Sequence, residues 1–295
     1  MPANLLAGRS AVFYDLAVAE AELEAIQNAF QQTGIDVVTY FETARSFAGM
    51  DCKRATVKYL LKRDIRFLIF VRKVKDQFEF YFVPFNGNID FVEAGQPAWF
   101  IHESVLNTAL RTVFQTALSS EKKQNFLIND LPEHMAAKEA NPIAGRRNET
   151  LATDIAYFSV AFPKMGNEQA DKELAQYLKE NYTGKYEVVE EKVEESELRK
   201  KNVVYVVRHV HTHGALAKNV LGYEATKSES AIASATYTNG ELQIKTIPSG
   251  DEVYKFYFKK LETGEVFLGK WDADITWQEA LSNHINAYKV EKKLK

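Results

Sequence analysis

The octapeptide Lys62-Arg63-Asp64-Ile65-Arg66-Phe67-Leu68-Ile69 has a counterpart in Lys200-Lys201-Asn202-Val203-Val204-Tyr205-Val206-Val207, and this pair decides how the chain is read. All eight positions stand 138 residues apart. In the first copy the apolar run continues through Phe70 and Val71. An unbroken run of this kind predicts a central parallel strand buried on both faces.

The same order of elements surrounds each copy. Upstream of the first, Ala11 to Tyr14 reads as a strand, and Leu23, Ile26 and Phe30 fall at the 3 and 4 spacings of one helix face. Thr33 and Gly34 stop that helix. Asp36 to Phe41 is a second strand, and a second helix is expected over about Asp51 to Arg63. Upstream of the other copy, Ala156 to Ala161 reads as a strand, and Leu174, Tyr177 and Leu178 mark a helix stripe that ends at Thr183 and Gly184. Val188 and Val189 stand where Val37 and Val38 stood.

Downstream, each half turns antiparallel. Lys75, Asp76 and Gln77 are a turn into a strand on which Phe78, Phe80 and Phe82 share a face. In the second half Asn239-Gly240 signals a type I′ hairpin, which places Tyr237 opposite Leu242 and Ala235 opposite Ile244. Tyr254, Phe256 and Phe258 alternate in a further hairpin before Thr263 and Gly264. Closing helices are expected from about Glu103 to Leu118, after Trp99, and from Thr276 to about Lys292, after Trp271. Thr276 with Glu279 forms a capping box, and Trp277, Leu281, His284 and Tyr288 form the inward stripe.

The fold class expected is therefore α/β, with two tandem duplicated domains. Each runs β-α-β-α-β, then antiparallel strands and a closing helix, on a mixed sheet. The first domain is placed at 1–130, a linker at 131–153 and the second domain at 154–295. Convergence on a common motif is the competing explanation for the repeat. The linker carries Pro132, Pro142, Gly145, Arg146 and Arg147, and Phe126, Leu127 and Ile128 just before it are expected to add a strand to the first sheet. The order of elements resembles that of envelope domains such as the TolB amino-terminal domain family and the CsgG curli-export family. The resemblance covers element order alone, carries no residue across, and implies interaction modules.

Composition narrows the function classes. At 295 residues the chain has room for two cores, and 46% hydrophobic with 26% charged residues describes a globular protein, not a disordered one. Its 37 Lys and Arg against 40 Asp and Glu give a net charge of −3, which argues against broad nucleic-acid binding. A single cysteine, Cys52, excludes an intrachain disulfide. No apolar run reaches a membrane span, so the sequence as written reads as cytoplasmic, with a periplasmic or secreted location as the alternative if an export signal was removed.

Among chemical motifs, His209, His211 and His213 are the sharpest, because alternation along a strand puts all three on one side and H-x-H at a strand end can chelate zinc. Asp272 and Asp274 would have to complete the ligand set. The competing reading is a set of solvent-facing or hydrogen-bonded histidines. Cys52 at a helix start is a weak nucleophile candidate, since Asp51 beside it opposes a thiolate. Ser120 to Lys123 matches S-x-x-K without its partner motifs. Arg146 and Arg147 offer an anion site or a solvated linker. Trp271 to Asp274 reads as aromatic packing plus an acidic helix start. No G-x-G-x-x-G, P-loop or G-x-S-x-G motif is present. Two functions follow: a non-catalytic binding or assembly protein, with a protein or small ligand as partner, or a metal-dependent hydrolase on His209, His211 and His213 with zinc as its cofactor.

Overall fold

Two apolar strand patterns, each interrupted by amphipathic helices, build two six-stranded mixed sheets. The computed structural model describes residues 1–120, 122–134, 141–143, 145–224, 230–238 and 241–292. The chain divides into two compact units, Met1–Phe47 with Cys52–Asn141, and Ala48–Asp51 with Pro142–Lys295.

The first unit runs β1 (Arg9–Tyr14), α1 (Glu20–Thr33), β2 (Asp36–Glu42), α2 (Thr43–Ser46), α3 (Met50–Lys62, from Cys52 onward), β3 (Ile65–Val74), β4 (Gln77–Pro84), β5 (Trp99–Glu103), α4 (Leu106–Ser120) and β6 (Glu133–His134). The strand order is β5-β4-β3-β1-β2-β6. β1 is parallel to both β2 and β3, with Ser10 opposite Phe67 and Ala11 opposite Leu68, and β3 is antiparallel to β4. Both faces of β1 are covered. On one side Val12, Ile69, Val71, Phe80 and Phe82 meet Ile26 and Phe30 of α1 and Val113 of α4. On the other, Ala11, Phe13, Phe41 and Leu68 meet Tyr59 and Leu60 of α3. Gly34 ends α1 at φ 99°, a left-handed conformation that glycine adopts without the Cβ clash other residues meet.

The second unit runs β7 (Arg147–Asn148), β8 (Val160–Pro163), α5 (Glu168–Asn181), β9 (Tyr186–Val189), α6 (Glu195–Lys200), β10 (Tyr205–His213), α7 (Gly214–Leu221), β11 (Ala231–Thr238), β12 (Glu241–Pro248), β13 (Glu252–Lys260), β14 (Val266–Phe267) and α8 (Trp277–Glu291). Its main sheet has the order β7-β14-β13-β10-β8-β9. β8 is parallel to β9 and β10, with Val160 opposite Tyr205 and Ala161 opposite Val206, and β10 is antiparallel to β13. Leu174 and Leu178 of α5 and Leu281, Ile285 and Tyr288 of α8 pack against Val160, Phe162, Tyr205, Val207, Phe256 and Phe258. Leu198 of α6 covers Ala161 and Val206 on the other face. The Thr276 side chain accepts from the Glu279 backbone N–H at 3.3 Å and so caps α8.

Three expectations need correction. Trp99–Glu103 is a strand, and the helix after it starts at Leu106, because Ile101 turns inward toward the core that α4 then covers. Ile155–Tyr157 forms a 3₁₀ turn, and the strand begins only at Val160. Phe126 to Ile128 form no strand; β6 extends the sheet instead, beside β2. The segment between the halves carries β6 and β7, one joined to each main sheet. The hairpin register is as expected, with Tyr237 opposite Leu242 and Ala235 opposite Ile244, while its turn residues Asn239 and Gly240 lie outside the described residues. Among the described residues, no helix is long and apolar enough to cross a membrane.

Candidate functional site

β10 carries His209, His211 and His213 on one side, each half-exposed while Val210 and Thr212 between them are buried. The three rings are spent on different neighbours. His209 lies against Tyr254 and Phe256, with ring centroids 5.8 and 5.3 Å apart. His211 stacks flat on Tyr254 at 3.9 Å, and its Nε2 is 3.6 Å from Glu252 Oε2. Partial burial lowers the His211 pKa, against the pull of Glu252. His213 Nδ1 sits 2.7 Å from the Gly250 carbonyl oxygen. Asp272 and Asp274 have partners elsewhere: Asp274 accepts from Lys245 at 2.6 Å and from Asn283 at 3.2 Å. Among the described residues, no group of three His, Cys, Asp or Glu side chains is placed to hold a metal ion.

Asp272 belongs to the most deeply buried charge cluster in the second unit. β13 supplies Lys255, the segment before α8 supplies Asp272, and α8 supplies His284. All three are at 0% exposure. Lys255 Nζ is 2.7 Å from Asp272 Oδ1 and donates to the carbonyl oxygens of Leu268 at 2.5 Å and Phe256 at 2.9 Å. His284 Nδ1 is 2.9 Å from Asp272 Oδ2. Desolvation lowers the pKa of both Lys255 and His284, and Asp272 opposes it in each case. The Tyr223 ring closes one side, 6.0 Å from Lys255 Nζ, and Arg147 lies over the same ring at 4.8 Å. Sealed from solvent, the cluster ties β13 to α8. Sequence reasoning missed it, since Asp272 reads locally as an acidic helix start.

Arg147 and Cys52 are likewise occupied by structure. Arg147 donates through Nε to the Leu221 carbonyl at 2.6 Å and pairs with Glu149 at 2.8 Å. Cys52 is buried in α3.

The first unit presents a different kind of feature in residues 122–132. Its polar residues are the ones that hold it to the body. The Gln124 and Asn125 backbone N–H groups donate to the Leu6 oxygen at 3.0 and 2.8 Å. Asn125 Nδ2 donates to the Gly8 and Gly34 carbonyls at 3.2 and 3.1 Å. Asn129 donates through N and Nδ2 to Asp36 Oδ1 at 3.0 and 2.8 Å, while Gln27 and Gln31 donate to its carbonyl. Three of its apolar residues point outward, Phe126 at 89%, Leu127 at 91% and Leu131 at 91% exposure, while Ile128 is half-buried. A folded chain ordinarily does the reverse, and contiguous exposed apolar side chains mark interaction surfaces. Lys122 and Lys123 precede this segment, and Phe126 and Leu127 border a shallow groove shared with Arg9 and Arg66.

No protein family, curated protein or solved structure matches the chain.

Proposed function

We propose that this chain is a non-catalytic binding or assembly protein built from two copies of one α/β plan, and that residues 122–132 of the first unit dock an apolar surface of a protein partner. The observation that carries the reading is the inverted polarity of that segment. Four polar side chains, Asn125, Asn129, Gln27 and Gln31, pin it with hydrogen bonds, while Phe126, Leu127 and Leu131 stand in solvent. Charges of both signs around it, from Lys122, Lys123 and Asp130, suit the polar rim of a protein interface.

Register supports the copying. Phe67 of β3 and Tyr205 of β10, aligned by the 138-residue offset, each face a parallel neighbouring strand, opposite Ser10 and Val160. Phe80 faces Val71 and Phe256 faces His209, and Val71 and His209 again stand 138 apart. The turn residues Asp64 and Asn202, at the same offset, both adopt positive φ, 53° and 60°.

The reading is tested with the variant Phe126→Ser/Leu127→Ser/Leu131→Ser. The wild-type chain should migrate in its native extract as a species larger than the single chain, and the variant should keep the fold and lose that species. Identical migration with and without the three side chains would contradict it.

A further inference from the structure

The seam between α1 and α4 in the first unit has a counterpart between α5 and α8 in the second. α1 and α5 are each 14 residues long, and α4 and α8 are each 15. Laid start to start, they set the buried Ile26 and Phe30 on the buried Leu174 and Leu178, and Ala109-Leu110 on Ala280-Leu281. The same alignment sets Ala25 on Glu173, Ala29 on Tyr177, Asn107 on Gln278 and Arg111 on Ser282.

In the second unit these four positions close the seam. Gln278 Nε2 donates to Glu173 Oε2 at 2.8 Å, and the Tyr177 ring packs on the core with its hydroxyl beside Ser282. In the first unit alanine stands in place of both the carboxylate and the phenol. The result is an open groove of about 330 Å³ whose lining includes Ala25, Ala29, Asn107, Leu110, Arg111 and Phe114, a size at the small end of ordinary ligand sites. Asn107 and Arg111, one turn apart on α4, make no side-chain hydrogen bond or ion pair with any other described residue. Phe114 beside them is 38% exposed.

We propose that this groove binds a small aromatic carboxylate. Its ring takes the space that Tyr177 fills in the second unit, over Ala29 and against the Phe114 ring, and aromatic pairs of this kind are attractive. Its carboxylate takes the place of the Glu173 side chain. The Asn107 amide donates to it, as Gln278 donates to Glu173. The Arg111 guanidinium, a planar fork matched to a carboxylate and free of any other acid, neutralises it. Glu173 and Tyr177 are four residues apart on one helix and so are neighbours, which lets a single small molecule such as 4-hydroxyphenylacetate supply both groups.

The test is calorimetric titration of the full chain with 4-hydroxyphenylacetate. Binding should be saturable with Kd below ~1 mM. The uncharged 4-hydroxyphenylacetamide should bind about tenfold more weakly or worse, because hydrogen bonds to a charged group are lost. Ala29→Tyr, which restores the ring of the second unit, should abolish binding with unchanged circular dichroism. Arg111→Ser should weaken it about tenfold. Absence of saturable binding up to ~10 mM overturns the proposal. So does binding that both substitutions leave unchanged, or that the amide matches. The groove shares no residue with 122–132, so these failures leave the docking role of that segment standing.

Discussion

Lys255 Nζ and Asp272 Oδ1 lie 2.7 Å apart with both side chains wholly removed from solvent. Such a pair need not stabilise the fold relative to apolar residues, yet losing one member strands the other charge in the core. Asp272→Asn should cost about 3 to 5 kcal/mol in urea denaturation. Lys255→Met/Asp272→Asn should recover part of that loss, since the uncompensated ammonium is gone. Equal stability of Asp272→Asn and wild type would mean that the cluster is hydrated.

His284 gives this cluster a pH signature. Burial holds its pKa below the ordinary 6.5, with Asp272 pulling upward and Lys255 pushing down. The unfolded chain therefore takes a proton near pH 6.5 that the folded chain refuses. The unfolded state binds more protons, so stability falls as pH drops below about 6.5. His284→Gln should flatten the stability curve between about pH 6.5 and 5 relative to wild type. A His284→Gln curve parallel to that of wild type would assign the acid sensitivity to other groups.

Phe80 is 0% and Phe256 3% exposed. Phe80→Ala and Phe256→Ala should each cost ~3 to 5 kcal/mol, the usual range for a packed phenylalanine. Chemical denaturation measures both. Losses under about 1 kcal/mol would show that the surrounding side chains collapse into the space.

The histidines of β10 permit a direct check of the zinc alternative. His209→Ala/His211→Ala should leave metal content unchanged, and it should cost about 1 kcal/mol, mainly the His211–Tyr254 stack. About one zinc per purified chain, lost in that variant, would instead establish a metal site and favour the hydrolase reading.

The legible parts of the fold were those written in local spacing. An Asn-Gly loop sets hairpin register by itself, which is why Tyr237 and Leu242 were matched correctly. Uninterrupted apolar runs such as Leu68 to Val71 identify a central strand because only a strand covered on both faces needs them. Spacing says nothing about partners far along the chain. Trp99 to Glu103 is strand through its ladder to β4, a pairing that no five-residue pattern announces. Asp272 reads as a helix-start carboxylate until Lys255, 17 positions upstream, is seen beside it. Phe126-Leu127-Ile128 has strand composition, but hydrogen bonds from Asn125 and Asn129 fix it with Phe126 and Leu127 outward and Ile128 half-buried.

The docking role of residues 122–132 is tested most directly by a photo-reactive residue at position 127, introduced into the full chain in the cells that produce it. Irradiation should give a discrete covalent adduct at 127 and none at Lys179, an exposed position on α5. The adduct should fade when Phe126 and Leu131 are changed to Ser. No adduct at 127 above the level seen at 179 would contradict the proposed function.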